Sequence, residues 1–138
     1  MTIEKSCGAV VFTRENGKIL YLIELYKKGY YGFPKGHLST HISEKNCVIA
    51  EIKKETDIDI VLVDGFVTYD SYSLIYKGFP DVTKTIVYYL GEYKEQIPKA
   101  LDSEISKIYL MSYDEAIKVL QFESSQRILT EAHTFIMK

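Results

Sequence analysis

Glu51 and Glu55 are the acidic side chains whose type and spacing most clearly suit chemistry in this sequence. They lie four residues apart, so in a helix they project from the same face. Two carboxylates placed in this way either repel each other or share a cation, and oxygen ligands suit a hard ion such as Mg²⁺. The alternative is a solvated surface on which both side chains point to water, a common arrangement for acidic pairs.

The segments around this pair carry the patterns that would position it. Two β-rich runs, 6–13 and 18–26, flank Asn16-Gly17, a dipeptide that favours the positive φ angles of a tight hairpin. After a loop rich in Gly, Tyr and Pro, residues 43–56 have apolar side chains at helical spacing. Ser43 is the expected N-cap of that helix. The acidic pair therefore lies on a helix that follows a hairpin and a loop.

The second half of the chain mixes strand and helix patterns. The runs 58–63, 66–76, 84–93 and 108–111 are strand-like, and helical patterns follow from 112 to about 120 and over 126–137. Ser112 and Glu115 have the spacing of a capping box at the start of the first of these helices. This mixture predicts an α/β or α+β sandwich that forms a single domain over residues 1–138.

The segment from Gly36 to Ile58 resembles the Nudix box. The pattern of that box is Gly, five residues, Glu, seven residues, then Arg-Glu-aliphatic-X-Glu-Glu-X-Gly-aliphatic. Without any gap, Gly36 matches the first Gly, Glu51 the central Glu and Glu55 the last Glu. The sequence Gly-Phe-Pro-Lys-Gly-His at 32–37 is similar to the branch that hydrolyses diadenosine tetraphosphate and related dinucleoside polyphosphates asymmetrically. Similarity in the strands and in the last helices extends the resemblance over nearly the whole chain.

Four positions depart from the box: Ile42 replaces its first Glu, Ala50 its Arg, Lys54 its penultimate Glu and Asp57 its Gly. The loss at Ile42 and Ala50 is paired and leaves no unpaired buried charge, so we predict a hydrophobic contact in place of an ionic one. Asp57 suits the left-handed conformation of a helix cap. Lys54 places a cation beside the acidic cluster, which would lower its affinity for Mg²⁺.

The resemblance implies a Nudix fold, with a mixed sheet between helices, and a role for each matching residue. Mg²⁺, with Mn²⁺ as the alternative, would be held by Glu51, Glu55 and the Gly36 carbonyl, and Glu104 would complete the set. Glu51, Glu55 and Glu104 are the expected catalytic residues, and Glu104 or a residue of the box would deprotonate the attacking water.

The resemblance also implies how the substrate would be bound. Lys35, His37 and Lys84 would contact phosphate oxygens; otherwise Lys35 and His37 are loop surface and Lys84 is a charge at a strand edge. Tyr88 and Tyr89 are adjacent in one strand, so they must point to opposite faces. Tyr88 is the one expected to stack on a base.

Composition excludes several classes of partner and location. The 138 residues contain 17 Lys and Arg against 19 Asp and Glu, a net charge of −2, which lacks the basic excess of a protein that binds long nucleic acid. No apolar run approaches the roughly 18–20 residues of a membrane span, and the first residues lack a signal-peptide pattern. We expect a small nucleotide as partner, no membrane contact, and a monomer or weak dimer.

The cysteines and two of the histidines are expected to have no chemical role. Cys7 and Cys47 lie 40 positions apart, which is neither a metal spacing nor a disulfide framework. This spacing predicts free, buried thiols and a reducing cytoplasm as the location. His41 and His133 have no partner at a meaningful spacing, so we expect both at the surface.

The sequence therefore predicts a Mg²⁺-dependent hydrolase that cleaves a dinucleoside polyphosphate, most simply diadenosine tetraphosphate to ATP and AMP. Two alternatives stay open. One is a catalytically weak or inactive homologue that binds a nucleotide as a module. The other keeps the chemistry but changes the substrate to an oxidised nucleoside triphosphate, a nucleotide sugar or a capped RNA end.

Overall fold

The computed structural model describes residues 2–38, 41–79 and 81–138 of the chain. Within these ranges four strands precede the first α-helix, four more follow it, and two α-helices come last, so that the α-helices cover a single sheet. The strands are β1 Thr2–Glu15, β2 Lys18–Tyr26, β3 Tyr31–Gly32, β4 Lys35–His37, β5 Val61–Leu62, β6 Thr68–Ser73, β7 Val82–Glu92 and β8 Ile105–Met111. The helices are α1 Glu44–Thr56, α2 Tyr113–Val119 and α3 Glu123–Ile136, with a short 3-10 helix at Ile75–Lys77.

Strand β1 organises a mixed sheet. It pairs in parallel with β7, and antiparallel with β2 at one end and with β4 at the other. Strand β2 pairs with β3 along one edge and with β8 along the other, while β5 and β6 pair with β7. The predicted α/β sandwich with a mixed sheet between helices is confirmed.

Both faces of β1 are buried because helices cover both. Val10 and Phe12 point toward α2 and α3, whereas Cys7, Ala9 and Val11 point toward α1. This alternation follows from the two-residue period of a strand. It explains why residues 6–13 form an unbroken buried run instead of alternating apolar and polar side chains.

The local signals around β1 and α1 are confirmed. Asn16 and Gly17 adopt φ angles of 51° and 77° in the hairpin between β1 and β2. Ser43 caps α1 by accepting a hydrogen bond from the Asn46 amide. Asp57 ends the helix in the left-handed conformation, with a φ of 62°, so an aspartate can occupy the position that the box gives to glycine.

Other predicted elements have different limits. The capping box of Ser112 and Glu115 is present at the start of α2. Helix α3 begins at Glu123, three residues earlier than the sequence suggests. The strands predicted at 58–63 and 66–76 are shorter in the structure, at Val61–Leu62 and Thr68–Ser73. The second of them ends early because residues 75–77 form the 3-10 helix, which ends at a left-handed Gly78.

The prediction of free cysteines is wrong. Cys7 on β1 and Cys47 on α1 form a disulfide, and their Cα atoms are 6.7 Å apart. Both side chains lie in the core between the sheet and α1. The distance along the chain carried no information here, because the fold places the start of α1 directly over β1. The disulfide therefore links the strand that pairs with Gly36 to the helix that carries Glu51.

His133 also departs from its expected surface position. It is half-buried on α3, where its Nδ1 lies 2.7 Å from the Tyr21 hydroxyl oxygen and its ring stacks on Tyr113. His41 is exposed, as predicted. Among the described residues, no helix is long and apolar enough to cross a membrane.

Candidate active site

Strand β4 and helix α1 bring the loop glycine and the helical acid together. Gly36 pairs with Cys7 of β1, while Glu51 lies on the second turn of α1. A Cβ atom added to Gly36 would fall on the Glu51 carboxylate. Only glycine allows the strand to approach this close to the acidic side chain, so the sequence match at these two positions corresponds to direct proximity in the fold.

A cleft of about 610 Å³ opens between β4, α1, β7 and the loop before β8. Its lining brings together nearly all of the residues that the sequence singles out. They are Lys35, Gly36, His37, Glu51, Glu55, Lys84 and Glu104. Residues from four separate parts of the chain thus meet in one place.

The inner wall of the cleft is acidic. Glu55 is 3% exposed, and behind it Glu24 of β2 is 0% exposed. Both oxygens of Glu24 and one of Glu55 have no hydrogen-bond partner. Burial, followed by the charges of Glu24 and Glu51, raises the pKa of Glu55, and burial raises the pKa of Glu24. Two buried carboxyls in this arrangement favour either a proton or a cation between them.

Glu24 and Asp102 are missed by the sequence analysis. Glu24 is the one charged residue inside the apolar run 19–26, and an acid in a strand buried on both faces is a signal that could have been used. Asp102 lines the cleft, and its carboxylate accepts the Glu104 amide at 2.8 Å. The Lys27 amide donates to the Glu104 carbonyl at 2.9 Å. These two contacts hold Glu104 at the exposed rim of the cleft.

The opposite wall is cationic. Burial and, next, the charge of Lys84 lower the pKa of Lys35, because two ammonium groups share a partly desolvated space. The Lys35 ammonium also lies 5.8 Å from the centroid of the Tyr26 ring. His37 is exposed at the edge of the same cleft. Such a pair of cations facing an acidic wall suits a polyphosphate with a bound divalent ion.

The family comparison agrees with this geometry. The model of the NUDIX domain family matches residues 4–132. The chain belongs to the Nudix family. Membership of this family identifies the protein as a hydrolase that acts on pyrophosphate bonds, as the sequence predicts. A search of curated proteins finds no match.

Solved structures give the same fold. The Ap4A hydrolase of C. elegans, as a binary complex, is 20% identical with a TM-score of 0.85, over 97% of this chain and 98% of that chain. The NUDIX domain of Shewanella oneidensis NrtR, complexed with ADP ribose, is 12% identical with a TM-score of 0.76 over 99% and 90%. The MutT protein of Methanosarcina mazei is 16% identical with a TM-score of 0.77 over 99% and 97%. At these identities the likeness establishes the fold.

The departures from the Nudix box can now be placed. Ile42 is 38% exposed and Ala50 is exposed, so neither belongs to the core, and the hydrophobic contact between them stays a prediction. Both positions face solvent, where losing the ion pair of the Nudix box leaves no buried charge and costs little stability. Lys54 lines the cleft and is exposed, so a cation does lie beside the acidic wall, on a side chain that can extend into water.

Tyr88 is not placed as the sequence suggests. Its ring is 4% exposed and packs edge-to-face against Phe33, with centroids 5.7 Å apart. Tyr89 points to the other face, as the alternation predicts, and donates a hydrogen bond to Glu44. Tyr88 forms the floor of a second cavity of about 590 Å³, next to the cleft. Because only a small part of its ring reaches this cavity, Tyr88 offers little surface on which a base could stack.

The acidic wall fits a divalent cation. Among the described residues, no three His, Cys, Asp or Glu side chains are already gathered into a metal-holding cluster. Mg²⁺, however, commonly uses one or two carboxylates together with water and substrate phosphates. The unpartnered oxygens of Glu55 and Glu24, next to Glu51, are donors of this kind. The donor set is therefore suitable for Mg²⁺ or Mn²⁺.

Proposed function

We propose that this Nudix hydrolase cleaves a dinucleoside polyphosphate, with diadenosine tetraphosphate cut to ATP and AMP as the first substrate to test. The observation that carries the proposal is the cleft in which the acidic residues of α1 face Lys35 and Lys84. A chain of phosphates bridged to a divalent cation matches this distribution of charge.

The chain's own residues have distinct tasks in this proposal. Glu51, Glu55 and the Gly36 carbonyl hold Mg²⁺, or alternatively Mn²⁺, and Glu104 completes the set. The bound ion supplies charge neutralisation for the phosphates and for the transition state. Lys35, Lys84 and His37 bind phosphate oxygens and so fix the position of the bond that breaks.

Glu104 is the proposed base for the attacking water. Its side chain is exposed at the rim, where a water can reach it, while its backbone is fixed by Asp102 and Lys27. A carboxylate held in this way can orient a water and accept its proton. The buried position of Glu55 makes it the more suitable residue for the ion and the less suitable one for bulk water.

The second cavity gives a place for a nucleoside. It shares Lys35 and Tyr26 with the cleft, so a substrate could extend from one into the other. Tyr30 and Phe122 line it with ring centroids 5.6 Å apart, and both are more accessible than Tyr88. We therefore assign the contact with a base to these two rings instead of Tyr88.

The similar structures support a nucleotide as the small-molecule partner. One is an Ap4A hydrolase and another is a NUDIX domain complexed with ADP ribose. A monomer or weak dimer and a cytoplasmic location remain predictions. The disulfide between Cys7 and Cys47 removes the support that free cysteines gave to the cytoplasmic location.

The test is direct. Purified protein is incubated with diadenosine tetraphosphate and Mg²⁺, and ATP, ADP and AMP are separated over time, with Glu55→Gln as the inactive control. Equal amounts of ATP and AMP are expected from the wild type. No turnover beyond the control, with nucleotide binding retained, would instead support the nucleotide-binding module. Turnover of ADP-ribose or an oxidised nucleoside triphosphate alone would keep the chemistry and replace the substrate.

A further inference from the structure

Glu24 is a buried acid that the proposed reaction has not yet used. It lies on β2, between β3 and β8, where it pairs with Gly32 on one side and Ile108 on the other. Leu22, two residues before it, packs in the core under α1. Because side chains two apart in a strand share a face, Glu24 also points toward α1. Glu24 does not line the cleft itself but lies directly behind Glu55, on the sheet side, whereas Glu51 and Glu55 of the Nudix box line the cleft from the helix.

The polar neighbours of Glu24 are a second acid, Glu55, and the Tyr26 hydroxyl, and neither is a cation. The geometry leaves both oxygens of Glu24 and one oxygen of Glu55 without a well-formed hydrogen bond. The neighbouring Tyr26 hydroxyl donates to the Phe33 carbonyl. The ion pairs formed by the described residues include neither acid. An uncompensated carboxylate in a dry interior is costly.

The charges around the pair make that cost larger. The negative charges of Glu24, Glu51 and Asp102 all act on Glu55 and disfavour its ionised form. The charge of Lys35 acts on both Glu24 and Glu55, but the side chain forms no ion pair with either. Several acids therefore converge here from different elements, and no lysine among the described residues forms an ion pair with Glu24 or Glu55. A divalent ion placed between them would satisfy the free oxygens and cancel their repulsion.

We propose that Glu24 is a ligand of the divalent metal, contributed by the sheet and paired with Glu55 across the inner wall of the cleft. This inference rests on the proposed function, since it adds a ligand to the metal site of the same reaction. It also accounts for Lys54. The box loses one acid from the helix at that position, and Glu24 supplies one from β2.

Binding of Mn²⁺ to the full chain without nucleotide tests the proposal independently of activity. Mn²⁺ is titrated into metal-free protein, and the signal of the free ion is followed by electron paramagnetic resonance. Glu24→Gln should weaken the affinity at least about tenfold, as expected for loss of a metal-site carboxylate. Glu44→Gln is the control for loss of an acid elsewhere, because Glu44 lies on α1 with Glu51 and Glu55 but outside the cleft, where it accepts a hydrogen bond from Tyr89. Its affinity should stay within about twofold of the wild type.

Two further measurements separate a ligand from a structural acid. Without metal, Glu24→Gln should melt at or above the wild-type temperature, because it replaces a buried carboxyl, whose charged form has no compensating cation, with a neutral side chain of the same shape. Glu24→Asp keeps the charge and should retain more Mn²⁺ affinity than Glu24→Gln. Equal losses in the Asp and Gln variants, or a melting temperature of Glu24→Gln well below the wild type, would overturn the proposal.

The outcomes also distinguish this inference from the proposed function. If Glu24→Gln binds Mn²⁺ like the wild type while Glu55→Gln does not, Glu24 is not a ligand and the proposed function stands. If the wild type binds no Mn²⁺ and cleaves no dinucleotide, both are overturned. If Glu24→Gln alone loses affinity and the wild type cleaves another nucleotide, the metal site stands and only the substrate changes.

Discussion

On one face of α1, outside the cleft, Lys53 lies 3.5 Å from Asp57 and 3.2 Å from Asp59, in ion pairs open to solvent. On the cleft face of the same helix, Glu55 is buried with an unpartnered oxygen and faces other acids. On the first face the charges pair with one another, and such exposed ion pairs generally contribute little to stability. On the cleft face, the negative charge of a buried carboxylate would have no ion-pair partner within the described part of the chain.

This difference between the two faces supports the proposal that the cleft face of α1 binds a ligand. A structural helix would pair its buried acids or replace them with apolar residues, because an unpaired buried charge costs several kcal/mol. The cleft face of α1 keeps both acids and adds Glu24 from the sheet behind them. A cation and phosphates bound in the cleft, as proposed, would offset that cost where it arises.

The largest effect is expected from the cleft face. Glu55→Gln should lower the rate of hydrolysis at least about 100-fold, in the range for removal of a group that stabilises developing charge. Lys53→Ala removes charge from the other face of the same helix and should leave the rate within about twofold. Initial rates at saturating Mg²⁺ provide the comparison. Similar losses in both variants would show that the two faces do not differ in function.

Gly36→Ala tests the approach of strand to helix. Its Cβ would meet the Glu51 carboxylate, so the acid must move, and the rate should fall about 10- to 100-fold, as for displaced metal ligands. Gly17→Ala is the control: φ at Gly17 is 77°, with no atom within 4 Å of the added Cβ. It should cost about 1 kcal/mol of stability through backbone strain and leave the rate unchanged. Thermal melting and initial rates of both variants separate strain from collision.

The sequence predicted local features correctly, whereas it predicted features that depend on distant parts of the chain less well. The Ser43 cap, the Asn16-Gly17 turn and the spacing of Glu51 and Glu55 are local, and the structure reproduces each of them. Gly36 and Glu51 lie 15 positions apart, and only the resemblance brought them together. The roles assigned to these residues remain predictions until they are measured.

The features that escaped prediction depend on packing between distant elements. Cys7 and Cys47 meet because α1 crosses β1, which no spacing rule describes. Tyr88 is closed off by Phe33, so alternation along the strand gave its face but not its exposure. Glu24 required knowing that β2 is covered on both sides; its charge was visible in the sequence, but its burial was not.

The metal-free protein should lose stability as the pH rises. Burial raises the pKa of Glu24 and Glu55 above the usual 4.5, so the folded state binds protons that the unfolded chain releases. This contribution is fully present below about pH 4.5 and is lost as the pH rises through the raised folded-state values. Melting temperatures in EDTA from pH 5 to 9 should fall by several degrees. The fall should be smaller in Glu24→Gln; an equal fall in both proteins would assign it to other groups.

Lys54→Glu should produce the smallest change in Mn²⁺ affinity and in rate, but the direction of that change is the most informative result. Lys54 is exposed at the cleft, so its repulsion of a cation acts through solvent, and its reversal should tighten Mn²⁺ binding and raise the rate only about threefold. Lys53→Glu makes the same change on the opposite face and should alter neither quantity. If Lys54→Glu lowers both affinity and rate, Lys54 must instead assist phosphate binding. The cationic wall would then extend onto α1, and the two faces of that helix would differ in burial more than in the sign of their charge.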